Sequence, residues 1–313
     1  MNSWMDSGSA SRKGGVINRM SSRPCPICLG AGGSAAFPYA TRFDGVAYHY
    51  LKCRHCCSVF VDPVPDADTF TKMYAKSAYH DAHYVECNSP HYHDSALLLK
   101  KFLPPGASVL DYGCGLGWFL RALKEEGFSA TGVEFDQEAA EAAAKATGCP
   151  AYTLPDFMAK SEKASVDVLH LGDVLEHLAE PANTLDELIG FVRPGGLLFV
   201  EGPLENNASP VFWAARLFGS MKRLLKKDAV GLGAPTHLLR VDSAQQLAFI
   251  KHFWPNLETL HWCIYETGWP YQGGGAVKSV IAALAIAIGG NRLFGVTFGN
   301  RFRGVFRIPK AAI

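Results

Sequence analysis

Ser108-Val109-Leu110-Asp111-Tyr112-Gly113-Cys114-Gly115-Leu116-Gly117-Trp118-Phe119-Leu120 decides how the chain folds. An apolar run reaches an acid, passes through alternate glycines, and continues with apolar residues at helical spacing. That order predicts a buried strand, a tight turn and an amphipathic helix. The glycines let backbone amides approach a ligand at the helix N-terminus, where the peptide dipoles favour it. A dinucleotide fingerprint starting at Gly113 requires its third glycine at position 118, which is Trp118. Gly117 comes one residue early, so the pattern is DxGxGxG, and this spacing argues against an NAD-dependent oxidoreductase. A second strand runs from Ala130 to Glu134, whose carboxylate at the strand tip is placed to accept both hydroxyls of a ribose.

The following segments extend the pattern. Gln137 to Thr147 is Ala- and Glu-rich and predicts a helix, stopped by Gly148 and Pro150 before a short strand, Ala151 to Thr153. Val166 to Leu171 predicts a fourth strand, and Gly172-Asp173-Val174-Leu175-Glu176-His177-Leu178 then enters a helix, with Pro181 at the next helix start. Arg193-Pro194-Gly195-Gly196 turns into a fifth strand, Leu197 to Val200. From Pro104 to the C-terminus these residues resemble the class I S-adenosylmethionine-dependent methyltransferases. The resemblance implies an α/β fold: a Rossmann-like, seven-stranded, mostly parallel sheet with an antiparallel last strand. By motif position it implies that Asp111, Gly113, Gly115 and Gly117 hold the amino acid part of S-adenosyl-L-methionine and that Glu134 holds its ribose. It further implies adenine contacts from Asp156 and Phe157, and Asp173 joins the cofactor set at the fourth strand tip. Leu257 to Glu266 and Phe302 to Ile308 are the expected sixth and seventh strands, with the Gly299-Asn300 turn before the last.

In an open α/β sheet the acceptor meets the cofactor beyond the carboxyl ends of the strands. Methyl transfer is an in-line displacement that needs an aligned nucleophile and, for a hydroxyl, a proton acceptor. His177 is the first candidate base, since an unperturbed imidazole titrates near ~6.5. His237, in Pro235-Thr236-His237-Leu238, is the second. Against this, His177 or Glu176 could instead cap, pair with or orient the loop.

Nine cysteines are unevenly placed. Cys25-Pro26-Ile27-Cys28 and Cys53-Arg54-His55-Cys56 form two CxxC knuckles around an aromatic-rich segment, Tyr39 to Tyr50, with hairpin character. Cys25, Cys28, Cys53 and Cys56 therefore read as thiolate ligands of a structural zinc ion, a closed site with no open position for catalysis. A region of roughly 40 residues has too small an apolar core to fold alone, and a metal supplies what is missing. Reduced cysteines buried as small hydrophobes are the competing reading, and adjacent Cys57 could replace Cys56 as a ligand. Asp62-Pro63-Val64-Pro65 then breaks the chain. The expected organisation is a disordered leader over 1–23, a zinc-ribbon-like module over 24–66 and a helical cap over 67–103. The methyltransferase-like domain follows over 104–313, with lid inserts at about 203–234 and 270–298. His80, His83, Cys87, His91 and His93 do not repeat a ligand spacing and read as partly exposed side chains of the cap.

The chain has 313 residues, 30 Lys plus Arg against 29 Asp plus Glu and a net charge of +1, so nucleic acid is not an expected partner. With 48% hydrophobic and 19% charged residues it is too apolar for a disordered protein. Its longest apolar run, Val280 to Ile288, falls short of the ~20 residues of a membrane span. A cytoplasmic location is expected, with peripheral contact at the inner membrane face through two apolar, basic inserts. One is Val211 to Lys227 with Arg216, Lys222, Arg223, Lys226 and Lys227; the other is Ala276 to Ile288 with Arg292, Arg301, Arg303 and Arg307 nearby.

The zinc-ribbon front end resembles that of a bacterial branch acting in sugar, polysaccharide and secondary-metabolite biosynthesis. O-methylation of a sugar, glycan or related small-molecule acceptor is the first expectation. C- or N-methylation of a nucleotide sugar or lipid-linked acceptor is the second; sugar C-methyltransferases with this front end carry a further large C-terminal domain that has no room here. A non-catalytic zinc-ribbon binding module on a degenerate fold is the third, opposed by the intact Asp111, glycines and Glu134.

Overall fold

The computed structural model describes residues 23–75, 90–210, 212–214, 216–217, 231–269, 275–293 and 296–310. The chain opens with strands β1 (Gly33–Phe43), β2 (Val46–Cys53) and β3 (Val59–Asp62), then helices α1 (Ala67–Tyr74) and α2 (Pro90–Leu99). β4 (Ser108–Tyr112), α3 (Trp118–Glu125), β5 (Ser129–Glu134), α4 (Gln137–Thr147), β6 (Ala151–Thr153) and α5 (Leu154–Lys160) follow. Next come β7 (Val166–Gly172), α6 (Pro181–Ile189), β8 (Val192–Pro203), β9 (Gly231–Leu232), β10 (Leu239–Arg240) and α7 (Ser243–Phe253). The chain closes with β11 (Glu258–Tyr265), α8 (Ala276–Gly289), β12 (Arg292–Leu293), β13 (Val296–Thr297) and β14 (Arg301–Arg307).

The main sheet has seven strands in the order β11-β14-β8-β7-β4-β5-β6, and β14 runs antiparallel to both neighbours. This is the expected Rossmann-like arrangement. Val109 and Leu110 are buried in β4, and α3 turns Phe119, Leu120, Ala122 and Leu123 inward. Gly117 begins α3 at φ 83°, where a Cβ would also stand 2.8 Å from Thr147 Cγ2 on α4. The third glycine of the loop thus permits close packing of two helices. α4 has the expected bounds because Asp136 accepts the Ala139 N–H at its start and Gly148, at φ 68°, ends it.

β1 and β2 form the expected hairpin around Asp44-Gly45, both at positive φ. The sheet built on it differs from a self-contained ribbon. It has five strands in the order β10-β3-β2-β1-β9, and β9 and β10 come from the region expected as a lid and its exit. β3 alone would present an edge of unpaired backbone groups. Leu239 and Arg240 pair with Phe60 and Val59 and cover it. Arg23, assigned to the leader from sequence, is tied into the same seam: its guanidinium donates to Ala179 O at 3.2 Å and Val61 O at 3.0 Å. Cys25, Ile27, Tyr48, Phe60 and Val61 share one buried apolar cluster with Leu169, Leu198, Phe249 and Phe306.

Two other local expectations are corrected. The segment after β7 forms a single 3-10 turn, Leu175–His177, because the backbone is drawn off by Leu238, whose N–H donates to Glu176 O at 2.7 Å. Arg193 to Gly196 lies within β8 as a bulge, since the register with β7 moves from Val166↔Val192 to Val168↔Leu197. A Cβ on Gly196 would stand 2.5 Å from Val192 Cγ1 and 2.7 Å from Asp167 O, so the bulge needs glycine there. α8 matches the expected apolar helix. His80, His83, Cys87, Lys222, Arg223, Lys226 and Lys227 lie outside the described residues. His91 faces Glu201 and Arg303, and His93 Nε2 lies 3.1 Å from a Glu126 oxygen.

The shared cluster makes the small sheet part of the main core. Phe60→Ala is expected to lower unfolding free energy by ~3–5 kcal/mol, as for a fully buried aromatic, in a single transition. Denaturant unfolding checks this: a loss under ~1 kcal/mol, or a separate early transition, would show that the small sheet is energetically isolated.

Candidate cofactor and acceptor site

Cys25, Cys28, Cys53 and Cys56 converge with their sulfur atoms within 4.8 Å of one another. Cys25 and Cys56 Sγ stand 3.7 Å apart and Cys28 and Cys53 Sγ 3.6 Å. Zn–S bonds of about 2.3 Å set the edge of a tetrahedron at roughly 3.8 Å, so the thiols fit such an ion. The His55 N–H donates to Cys53 Sγ at 3.4 Å, which supports one knuckle. Cys57, the alternative ligand, is exposed at φ 64° and stands outside the set. Donation of a hydrogen bond to Cys56, and burial, push the Cys25 thiol up to about 12.

At the carboxyl ends of β4, β5 and β7 lies a cavity of about 370 Å³, lined by Gly113, Gly115, Glu134, Phe135, Leu154, Asp173 and His177 among others. Tyr74 from α1 and Tyr112 at the end of β4 add aromatic walls. Gly113 sits at φ 79° with Val174 Cγ2 2.4 Å from where a Cβ would be, so this close approach excludes other residues. Glu134 accepts the Gly115 N–H at 2.7 Å through one oxygen and the Phe135 N–H at 2.7 Å through the other. These bonds fix the carboxylate at the cavity wall. A volume of this order suits a nucleoside-sized ligand. The glycine loop and strand-tip acid fit S-adenosylmethionine.

The expected cofactor residues are not all brought to that cavity. Gly113, Gly115, Glu134 and Asp173 line it; Asp111 borders an adjoining crevice with Trp118, His170 and Glu201; Gly117 packs against α4. Asp156 is exposed and accepts a hydrogen bond from Thr153 Oγ1 at the start of α5, while Phe157 is buried against Phe191. Of this stretch Leu154 lines the cavity, since starting α5 there turns Phe157 into the core.

Sequence reasoning also missed a buried charge chain. His170 Nδ1 bonds Asp111 Oδ1 at 2.7 Å, and its Nε2 lies 3.4 Å from Glu201 Oε1. Ser95 Oγ donates to Glu201, as does Arg303 Nε at 2.8 Å. Burial opposes an imidazolium, but the Asp111 carboxylate and then Glu201 prevail and raise His170 to about 9. Glu201 is held well below the ordinary range, against burial, by His170, His91 and Arg303. A lone histidine within the apolar run Val168-Leu169-His170-Leu171 of β7 was a faint signal at best.

The two candidate bases come together beyond the cofactor cavity. The His177 and His237 rings stand 4.8 Å apart, and both group with Glu176. The His177 Nδ1–H donates to Thr236 O, and Tyr74 Oη lies 2.9 Å from the same nitrogen. His237 Nδ1 bonds Glu205 Oε2 at 2.7 Å, and Arg240 Nε lies 3.5 Å from that oxygen. Burial, reinforced by His237, pushes His177 down to about 3. Burial opposes charge on His237, but Glu205 raises it to about 8. Burial and Asp173 raise Glu176 to about 8. Arg301 Nη2 donates to Asp173 Oδ1 at 2.6 Å, closing the far side.

A family profile described as a methyltransferase domain matches residues 83–269. A 2-methyl-6-phytyl-1,4-hydroquinone methyltransferase of Synechocystis sp. is 36% identical over 103 residues, covering 31% of this chain and 32% of that protein. A trans-aconitate 2-methyltransferase of Azoarcus sp. is 31% identical over 134 residues, 40% of this chain and 53% of that protein. A ubiquinone biosynthesis O-methyltransferase of Xylella fastidiosa is 28% identical over 199 residues, 60% and 76% respectively. The chain thus spans about a third and about half the length of the first two. A chain in the complex of the Haloferax volcanii Trm112 methyltransferase activator and a methyltransferase superposes with a TM-score of 0.50 at 16% identity. That match covers 79% of this chain and 99% of the other, a likeness of fold.

The raised His170 gives a pH dependence with a defined sign. Its stabilising contribution is complete below the free imidazole value of 6.5 and is lost as pH rises through about 9. Thermal unfolding between pH 7 and 10 should show a steeper loss in the parent protein than in His170→Gln. Parallel curves would remove His170 as the titrating group.

Proposed function

The chain belongs to the methyltransferase-domain family, and from that premise we propose that it transfers the methyl group of S-adenosylmethionine to a hydroxyl of a small-molecule acceptor. The carrying observation is one continuous arrangement: the cavity at Gly113, Gly115 and Glu134 runs to His177, where His237 and Glu176 gather. When bound, the cofactor supplies a methyl group on sulfonium sulfur; the acceptor oxygen bonds to that carbon as the S–C bond breaks, leaving a neutral thioether. Gly113 and Gly115 let the loop backbone lie close to the amino acid portion, and Glu134 offers its remaining lone pairs to the ribose hydroxyls. Asp111 acts from the adjoining crevice, oriented by His170. Asp173, clamped by Arg301, adds negative charge beside the sulfonium region. The His177, His237 and Glu176 cluster faces the acceptor hydroxyl, whose proton leaves to solvent.

A sugar or glycan acceptor, the expectation from sequence, gains no support from the relatives. Their names carry a phytyl hydroquinone and ubiquinone biosynthesis, and the aromatic walls from Phe70, Tyr74, Tyr112 and Phe135 suit a ring-bearing, apolar acceptor better. We therefore favour a phenol or hydroquinone hydroxyl. In the four-cysteine set we propose a structural zinc ion, since four converging thiols leave no open position.

Incubation with methyl-labelled cofactor and a panel of phenols, hydroquinones and sugars tests the assignment. Label is expected on a phenolic oxygen, and Glu134→Ala should weaken cofactor binding by at least ~10-fold by calorimetry, as loss of a charged hydrogen-bond acceptor costs ~1.5–3 kcal/mol. Absence of cofactor binding to the parent protein would overturn the reading.

An exposed apolar face supports peripheral lipid contact near such an acceptor. On α8, Val277, Val280 and Leu284 are exposed, and nearby Trp269 is 72% exposed. Among the described residues no helix is long and apolar enough to cross a membrane. Sedimentation with anionic liposomes should recover the protein, and Val280→Asp with Leu284→Asp should abolish it; recovery unchanged by the pair would exclude this face.

A further inference from the structure

We propose that Glu176, His177 and His237 form a second metal site, open to the acceptor, that takes a divalent transition ion. The inference deepens the proposed function and rests on its reading of this end of the cavity as the acceptor site.

Three observations carry it. One ligand atom from each residue lies within 4.8 Å of the others, near the roughly 3–4 Å separations imposed by bonds of ~2.0–2.2 Å. Glu176 is 8% exposed, and its Oε1 is buried with no hydrogen bond, 3.8 Å from His177 Nε2. A buried carboxyl oxygen left without a hydrogen bond is costly, and a metal ion bound there would supply its partner. Each imidazole is also oriented through its other nitrogen, His177 by Thr236 O and His237 by Glu205. Outer partners of this kind hold a ring in position for metal and raise its basicity.

Two imidazoles and a carboxylate match zinc, cobalt, manganese or iron in the divalent state and leave positions for oxygen ligands. This differs from the closed thiolate set, where every position is filled. An acceptor hydroxyl bound at an open position loses its proton to solvent more readily; the resulting oxygen forms the new C–O bond while the sulfonium releases its methyl group. No electron transfer is involved. Glu205 is a positioning residue in this scheme, because it acts through His237.

The test uses the full chain, treated with a mild chelator so that thiolate-bound metal remains, then dialysed against Co2+ or Mn2+. Elemental analysis and visible absorption give the stoichiometry, while calorimetry with S-adenosylmethionine and label transfer are followed on the same samples. The parent protein should take up one further equivalent, without added thiolate charge-transfer absorption. Glu176→Gln and His237→Gln should bind it more than ~100-fold more weakly, and Glu205→Gln ~10–100-fold more weakly, with cofactor affinity unchanged. No further equivalent in the parent protein overturns the proposal, even if the variants fail to fold. So does a further equivalent that persists in both ligand variants, or full-rate transfer with this site empty; the last leaves the proposed function standing. An ion bound in the parent and lost in the variants, with no transfer to any acceptor, supports the site and counts against the proposed function.

Discussion

The pairing of Leu239 and Arg240 with Phe60 and Val59 is the constraint from which the meeting of Glu176, His177 and His237 follows. It is reinforced from both sides, since the Val61 N–H donates to Leu238 O at 2.9 Å and the Leu238 N–H donates to Glu176 O. Leu238 is thus pinned between the small sheet and the turn after β7. Its neighbour His237 has no choice of position: the backbone that carries it is held at both faces, so its ring must lie beside His177. The four-cysteine group lies at the open end of the same hairpin, next to Val59 and its partner Arg240.

Buried charge is distributed so that each group has an opposite partner. On the cofactor side, Asp111, His170, Glu201 and Arg303 alternate in sign across β4, β7, β8 and β14. A chain of this kind need not add net stability, because desolvation of each member offsets much of the attraction. What it supplies is geometry: removing one member leaves its neighbours charged and buried, so each stays where the others hold it. On the acceptor side the balance is less complete. Glu205 is held down to about 2, against burial, by Arg240 and His237, whereas Glu176 has a buried oxygen without a hydrogen bond.

The sequence revealed what depends on local pattern. The glycine turn, Glu134 and the bounds of α4 and β6 could be read because strand, cap and turn chemistry act within a few residues. The CxxC pairs were equally legible, since each pair lies within one tight turn and the two together form the four-cysteine group. What escaped depended on distant contacts. β9 and β10 are two residues each, too short for any periodicity, yet they join the hairpin sheet to the rest. His177 and His237 were each singled out, but their meeting and the part of Glu205 arise from pairing across the chain. That Leu154, rather than Asp156 or Phe157, lines the cavity was not legible, because the first turn of α5 decides which residue faces it.

The shared sheet also bears on where this protein can be cut. A boundary drawn after Pro65, attractive from the proline break in the sequence, would strip β10 of its partner and expose the backbone edge that β3 now covers. His237 would then hang on a loop with one side unsupported, and the newly bared strand would invite pairing between molecules. The N-terminal segment is therefore not a detachable cassette, and exchanging it between related enzymes would carry the acceptor pocket's geometry along with it.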